Sequence, residues 1–416
     1  MISSKSIIIN KQSFIYSSKI DIDVKVSDDY PSDFINQDYK KILNKIKDDV
    51  CHLDNWFIYR KLFTTTLFLN YYYNKKNIGL FNKNVLSRSF FKMIEIQNDY
   101  NILKMGTKKI KIAFIAEAPG GFIEACYKIR NKNSEDNYYT ISLIDKNSSN
   151  IPTWYNLKKK IVHKKNIEIC KGYDNTGDIY KLINIFNYIK QVGKHSCDIV
   201  TADGGFDFTI DFINQEYNFA RLFLCEIIIG LSLQKLGGNF VIKCFDLTNI
   251  LNLKFFYILC HLYEKVIITK LKTSRKTNSE RYIVCKNMKE YVDDKILNKL
   301  YMVILKWDYY TEKNKKIIDI FSFKMDKLFV KKIELYNSWF FEKQLDIYNY
   351  IININNNLSN SLIYDIIKQI IIDNIDNCVS FCRLNNIFID YDSYFIVNNI
   401  NEIINTHFSL KMIKID

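Results

Sequence analysis

Lys243 stands in an otherwise apolar run, residues 240–246 reading FVIKCFD. An ammonium buried there without a partner would be costly, so it must snorkel to water or meet a carboxylate. Three other stretches carry groups that could answer it. Residues 198–206, DIVTADGGF, read as a buried-type strand ending in Asp203 and two glycines. An acid at the carboxyl end of a parallel strand points into the crevice where such folds hold ligands, although Asp-Gly is also a common turn. Residues 273–286, TSRKTNSERYIVCK, put Glu280 at the mouth of a final strand. Residues 112–125, IAFIAEAPGGFIEA, run from an apolar strand through Pro119-Gly120-Gly121 into a helix. A ligand approaches backbone where no Cβ intervenes, and the helix N-terminus behind offers free N–H groups. This turn matches neither G-x-x-x-x-G-K-[ST] nor G-x-G-x-x-G, so phosphate cradling with Mg²⁺ is disfavoured.

Such groups need a frame that gathers strand ends. Between residues 111 and 286, short β-rich runs alternate with helical segments, the arrangement of a mostly parallel sheet covered on both faces. The expected strands are 111–118, 138–145, 166–170, 198–203, 239–245, 265–271 and 281–286, and the clearest helix is 216–236, stopped by Gly237 and Gly238. Too few residues separate the last two strands for a crossover helix, so they should pair antiparallel. The fold class expected is α/β: a doubly wound, mostly parallel seven-stranded sheet with an antiparallel terminal hairpin, plus a helical C-terminal extension. Residues 1–54 read as an N-terminal segment of unknown role, with a β-like stretch at 14–26 and a charged helix near 38–50. Residues 55–290 form the central domain; its leading part to Tyr100 reads as helical, with Arg88 and Lys92 on one face. Residues 291–416 contain no glycine and carry apolar stripes at Ile317, Ile320 and Phe321 and at Ile363, Ile366, Ile367 and Ile370, a packed helical unit. With the sheet complete at Lys286, this extension is not expected to build the crevice.

The 416 residues are 48% hydrophobic and 25% charged, with three Pro and twelve Gly, which argues against a disordered or fibrous chain. Lys+Arg 59 against Asp+Glu 45 gives a net charge of +14. Gathered on one face, that excess implies a polyanionic partner; AT-rich codon usage explains it equally well. Tyr71, Tyr72, Tyr73, Lys75 and Lys76 combine rings and cations as single-stranded RNA readers do, but such a run is more often a helix with one packed aromatic face. Lys158, Lys159, Lys160, Lys164 and Lys165 read as a solvated face. Cys225, Cys244, Cys260 and Cys285 sit in apolar runs and read as reduced core residues; Cys378 and Cys382 lack the second pair that a zinc site needs. The longest apolar stretch, 222–233, is interrupted by Glu226 and is shorter than the about 20 residues a bilayer requires. Residues 1–10 hold no apolar leader, so the expectation is a protein neither secreted nor inserted in a membrane.

In order, EAPGGF (117–122), NTGDI (175–179), ADGGF (202–206), FVIKCFD (240–246) and SRKTNSERYIVCK (274–286) resemble the FtsJ-like (RrmJ-like) family of S-adenosylmethionine-dependent RNA 2′-O-ribose methyltransferases, and within it the eukaryotic and large-DNA-virus mRNA cap-1 type. The resemblance implies a Rossmann-like methyltransferase fold and S-adenosylmethionine as cofactor. It also implies a Lys-Asp-Lys-Glu tetrad of Lys92, Asp203, Lys243 and Glu280, with Lys61 and Lys83 as alternatives to Lys92. The cofactor is placed over Glu117, Ala118, Pro119, Gly120, Gly121 and Phe122, with Asp178 and Ile179 at the adenine. Asp145, ending the second strand, is either a ribose ligand or a plain turn residue. Asn214, Gln215 and Asn278 fall where cap-type members contact RNA.

The chemistry so implied takes a proton from a weakly acidic ribose hydroxyl. A lysine with a free pKa of about 10.4 is a poor base, but a second ammonium and desolvation lower it. Lys243 is therefore the expected general base and Lys92 the group that depresses its pKa. Asp203 and Glu280 orient both, and the scheme calls for no metal. The expected activity is cap-1 formation on mRNA. The rivals are an rRNA or tRNA ribose methyltransferase and a non-catalytic RNA-binding or polymerase-associated subunit that keeps the fold. The expected partners are capped RNA and, through the C-terminal helices, another protein. The expected setting is the cytoplasm or another intracellular site, including a viral factory or virion.

Overall fold

The structure is a computed structural model that describes residues 6–10, 21–74, 76–81, 83–103, 109–130, 135–145, 151–155, 157, 166–206, 211–357 and 360–408. Lys75 and the lysines at 158–165 lie outside these residues. The strands are β1 (Ser6–Asn10), β2 (Ile22–Ser27), β3 (Tyr72–Tyr73), β4 (Lys76–Asn77), β5 (Lys111–Ile115), β6 (Asn137–Ile141), β7 (Ile167–Cys170), β8 (Cys197–Ala202), β9 (Gln234–Cys244), β10 (Tyr263–Thr269), β11 (Arg281–Met288) and β12 (Lys316–Phe321). The helices are α1 (Gln37–Cys51), α2 (Trp56–Leu62), α3 (Ser89–Tyr100), α4 (Gly121–Ile129), α5 (Leu182–Val192), α6 (Gln215–Leu233), α7 (Ile250–Leu262), α8 (Asp294–Glu312), α9 (Lys327–Asn357), α10 (Asn360–Leu384), α11 (Tyr394–Val397) and α12 (Ile400–His407).

The main sheet has the order β1-β10-β11-β9-β8-β5-β6-β7. Strands β7, β6, β5, β8 and β9 run parallel. Strand β11 is antiparallel to β9, β10 to β11, and β1 to β10. Every residue of the central β8 is buried, which is why its sequence is a continuous run rather than an alternation. Helices α5 to α8 cover one face, and α3, α4 and α10 lie over the other.

Four elements differ from expectation, one being the Ile317, Ile320 and Phe321 stripe, which forms β12 and not a helix. The sheet has an eighth strand, β1, whose Ile7 and Ile9 are fully buried while Ile8 is exposed; it pairs with β10 and so covers what would be an open edge. The helix expected at 216–236 ends at Leu233. The fully buried Gln234 opens β9 and donates through Nε2 to the carbonyls of Cys197 at 2.9 Å and Asp198 at 3.1 Å. Gly237 and Gly238 therefore lie inside β9, where the β8 register shifts. A Cβ on Gly238 would fall 1.8 Å from Gln234 Nε2. Residues 55–100, expected to be helical, break after α2 into a 3₁₀ turn (Leu67–Leu69) and the β3–β4 hairpin. Tyr71 packs among Phe68, Phe395 and Phe408, while Tyr72 and Tyr73 are exposed.

The C-terminal extension is helical apart from β12, which pairs antiparallel with β2. Leu43 and Val50 of α1 share a core with Phe340, Phe341 and Tyr348 of α9. The buried Lys254 of α7 donates to Asp319 Oδ2 at 2.7 Å and to the Phe321 carbonyl at 2.5 Å. Arg281 of β11, also fully buried, donates to Asn337 Oδ1 and the Phe245 carbonyl, each at 2.8 Å, and lies against the rings of Tyr336 and Phe340. The extension thus packs directly behind Glu280. Nine cysteines are buried and Cys51 is exposed; all ten are free. Among the described residues no helix is long and apolar enough to cross a membrane.

Candidate active site

Strand order reverses between β5 and β8, and in open α/β sheets ligands bind outside the carboxyl ends of the strands at such a point. Asp203 lies one residue past β8. Lys243 projects from β9, and its Nζ donates to the Asp203 carbonyl at 2.9 Å and lies 3.3 Å from Oδ1. Gly205 leaves it room, since a Cβ there would fall 2.8 Å from Nζ. Glu280 immediately precedes β11; each of its carboxylate oxygens is 2.9 Å from Lys92 Nζ of α3, and Oε1 accepts from Ser274 Oγ at 2.6 Å. Tyr282 joins the two pairs. It sits opposite Lys243 across the β9–β11 ladder, donates through Oη to Asp203 Oδ1 at 2.6 Å, and presents its ring to Lys92 Nζ 5.6 Å away.

All four expected tetrad residues therefore converge. Lys61 instead lies over the Phe57 ring and Lys83 is exposed. Arg88 turns to the carbonyls of Thr66 and Leu67. Tyr282 was missed, although its place two residues after Glu280 puts it on the same face of the strand.

The electrostatics overturn one expectation. Burial works against the Lys243 ammonium, but Asp203, Glu280 and Glu226 outweigh it and hold the pKa above the ordinary lysine value. The net shift is thus opposite to the depression expected from Lys92, whose ammonium pairs with Glu280. Burial likewise pushes Glu280 up, yet Lys92, Lys243 and Lys270 together hold it well below the usual carboxylate range. Lys270 is pushed down to about 7, chiefly by burial. Its Nζ donates to the Asn278 carbonyl at 2.7 Å, Asn278 Oδ1 at 2.6 Å and the Glu280 carbonyl at 2.9 Å, fixing the backbone that carries Glu280.

On the β5 side, Ala116 adopts φ 54°, an uncommon conformation for a residue with a Cβ, just before Glu117. Glu117 is buried; Oε1 accepts from Thr201 Oγ1 at 2.7 Å, and Oε2 has no protein partner among the described residues. Burial, then Asp203, push its carboxyl well up. Ala118 and Pro119 are half-buried. A Cβ on Gly120 (φ 106°) would lie 2.9 Å from Leu157 Cδ1, and one on Gly121 would lie 2.1 Å from Ser89 Oγ, so Gly121 also serves the packing of α4 on α3. Phe122 is fully buried, its ring 6.1 Å from that of Tyr282.

Asp145 lines a cavity of ≈ 670 Å³ at the ends of β6 and β7, with Trp154, Tyr155, Lys171 and Asn175. Asp178 lies in the loop after β7 and accepts the Tyr180 N–H on Oδ1 at 2.9 Å. Gly177 (φ 60°) lets that loop pass against Ser142, whose carbonyl oxygen would be 2.0 Å from a Cβ. The Ile179 side chain is buried in the core. The rings of Trp154 and Tyr155 and the Asp145 carboxylate around a cavity of this size fit a nucleoside cofactor.

A second cavity, of ≈ 580 Å³, lies on the Glu280 side and is lined by two of the three expected RNA-contact residues, Gln215 and Asn278. Lys47, Arg60 and Arg275 supply cations, Trp56, Phe212 and Tyr348 supply rings, and none of its described lining residues is acidic. Asn214 is turned to Asp211, with Nδ2 3.0 Å from Oδ1, and does not line it. Burial, then Lys40 and Lys270, push Lys47 well below the usual lysine value; its Nζ donates to Ser279 Oγ at 3.3 Å. Trp56 and Arg60 are one helical turn apart, a spacing the sequence offered; Lys47 and Tyr348 lie too far from the motifs to be found that way.

Residues 85–288 match the FtsJ-like methyltransferase family. Three curated proteins similar to this chain carry the name Cap-specific mRNA (nucleoside-2'-O-)-methyltransferase 1. That of Xenopus laevis is 29% identical over 227 residues, 50% of this chain and 26% of its own length. That of Trypanosoma brucei is 40% identical over 121 residues, 28% of this chain and 32% of its own. The Homo sapiens protein is 31% identical over 186 residues, 44% and 22% respectively. The chain thus spans a third or less of the length of these relatives. A solved ribosomal RNA methyltransferase from Plasmodium falciparum is 22% identical, with 49% of this chain and 98% of that one covered at a TM-score of 0.35.

Proposed function

We propose, on the premise that residues 85–288 belong to the FtsJ-like methyltransferase family, that this chain methylates the 2′-hydroxyl of an RNA ribose and that its RNA is capped mRNA. The observation that carries the proposal is the pair of ion pairs, Lys92–Glu280 and Lys243–Asp203, joined by Tyr282 at the switch point of the sheet. When bound, S-adenosylmethionine supplies a methyl group on a positively charged sulfur. Asp145 and Asp178 would hold its nucleoside, and Glu117 with the Ala118–Pro119 turn its amino-acid end. Lys243 Nζ is the proposed acceptor of the ribose hydroxyl proton. Asp203 fixes that nitrogen from its carbonyl and carboxylate, while Glu280 keeps Lys92 beside it. The rings and cations of the ≈ 580 Å³ cavity suit a stacked base and its phosphates, which favours an RNA 5′ end over an internal duplex site. An intracellular setting accompanies this reading.

The test is transfer of labelled methyl from S-adenosylmethionine to otherwise identical capped and uncapped RNAs, followed by nuclease digestion. Label in a nuclease-resistant 2′-O-methylated cap fragment is the expected result. Label on uncapped structured RNA alone would favour the rRNA or tRNA reading. Cofactor binding without transfer to any RNA would favour the non-catalytic subunit.

A further inference from the structure

Glu226 is the residue that interrupts the apolar stretch 222–233, and the proposed chemistry leaves it without a role. It lies on α6, fully buried. Its Oε1 accepts the Gly204 N–H at 3.1 Å, and its Oε2 has no partner among the described residues. The peptide bond that supplies this N–H is the one whose carbonyl, on Asp203, accepts from Lys243 Nζ at 2.9 Å. In a trans peptide the N–H and C=O point in opposite directions, so fixing one end fixes the other. Only glycine at 204 permits the approach: a Cβ would fall 2.2 Å from Glu226 Oε1 and 2.9 Å from Leu222 Cδ2.

We infer that Glu226 is a positioning residue for Lys243, acting through the Asp203–Gly204 peptide: by holding the Gly204 N–H it aims the Asp203 carbonyl at the lysine ammonium. This rests on the proposed function only for the base role of Lys243. An apolar side chain would leave the peptide N–H buried and unmade, free to rotate toward another acceptor at the expense of the Lys243 contact. The groups facing Glu226 are Asp203 past β8, Lys243 on β9, Glu117 past β5, Tyr180 before α5 and Cys225 on its own helix. Burial pushes Glu226 up to about 8, Lys243 and the Gly204 N–H pulling against it. At neutral pH it therefore acts mainly as a hydrogen-bond acceptor, a part that a glutamine can also play.

The experiment compares Glu226→Gln with Glu226→Met in the full chain. Both remove the ionisable group; only the first keeps an acceptor for Gly204. Lys243 is titrated by NMR in protein carrying ¹³Cε-lysine, its signal identified by loss in Lys243→Arg. The expected result is a midpoint in Glu226→Met about one pH unit below that of Glu226→Gln, since the ammonium loses a charge-assisted hydrogen bond. The ascending limb of the single-turnover pH profile should move with it. Coincident midpoints in two folded variants would overturn the inference. If Glu226→Met does not fold, Glu226→Ala carries the same comparison. The titration needs no turnover, so a chain that methylates nothing would refute the proposed function and leave this result standing.

Discussion

Tyr282 and Asp203 meet through one hydrogen bond of 2.6 Å, donated to the same carboxylate oxygen that lies 3.3 Å from Lys243 Nζ. Burial, then Asp203, raise the Tyr282 hydroxyl well above its ordinary pKa, so it stays a donor across the working pH range. Tyr282→Phe should let Asp203 draw more strongly on the ammonium and slow single turnover at pH 7 by a few-fold to about tenfold, the range of one hydrogen bond. Cofactor affinity, measured by calorimetry, should be unchanged.

Lys243→Ala and Asp178→Ala should separate chemistry from binding. The first should cut the single-turnover rate by about 10² to 10⁴-fold with little change in cofactor affinity, as expected for loss of a general base. The second should weaken cofactor binding by about 1–3 kcal/mol while sparing the rate at saturation. The reverse pattern would mean the two roles are misassigned.

The raised pKa of Lys243 sets the sign of the pH profile. Only the neutral amine can accept a proton, so its fraction grows about tenfold per pH unit while the pH is below the pKa. The logarithm of the single-turnover rate should therefore climb with a slope near one from about pH 7 to 9. A flat profile over that range would remove Lys243 from the base role.

Lys270 links stability to pH in the alkaline direction. Its folded pKa of about 7 lies below the unfolded value of about 10.4, so between the two the unfolded chain binds a proton that the folded one does not. Stability should rise with pH across that window, the burden being fully present below pH 7. Lys40 and Lys47, also lowered chiefly by burial, add to the same slope. Urea unfolding at a series of pH values should show a shallower rise in Lys270→Met than in the parent.

A chain ended after Glu290 should not fold to an active domain. It would strip Arg281 of Asn337 and of the Tyr336 and Phe340 rings, and would uncover Leu43 and Val50, which share a core with Phe340, Phe341 and Tyr348. Limited proteolysis and circular dichroism would detect the loss. Asn337→Ala is the milder version, with an expected cost of about 1–3 kcal/mol in urea unfolding.

The motifs were legible because each places a charged or glycine residue at the end of an apolar strand, where neither belongs without a reason. Asp203, Lys243 and Glu280 were readable in this way, whereas Lys92, on a helix, came from the family resemblance alone. Their charge states were not, since the pKa of Lys243 depends on three carboxylates drawn from β8, β11 and α6. At Gly121 the lack of a Cβ also serves helix packing, a role that only the position of Ser89 reveals. Strand β1 escaped notice because a five-residue run has too few alternations to be told from background. The cavity beside Glu280 was half visible: Gln215 and Asn278 lie within or beside the motifs, whereas Lys47 and Tyr348 come from opposite ends of the chain.

That last cavity has a place in time as well as in space. Its wall joins α1 to α9, and among the described residues β2, just before α1, pairs with β12 alone, so this N-terminal segment has no sheet partner until the ribosome has released residues 316–321. The parallel strands around Asp203 can assemble earlier from segments closer in sequence, while contacts spanning nearly the whole chain pay the largest loop-closure cost and form late. A nascent chain would thus lack the wall that Lys47 and Tyr348 give this cavity until the two ends of the described chain close on each other.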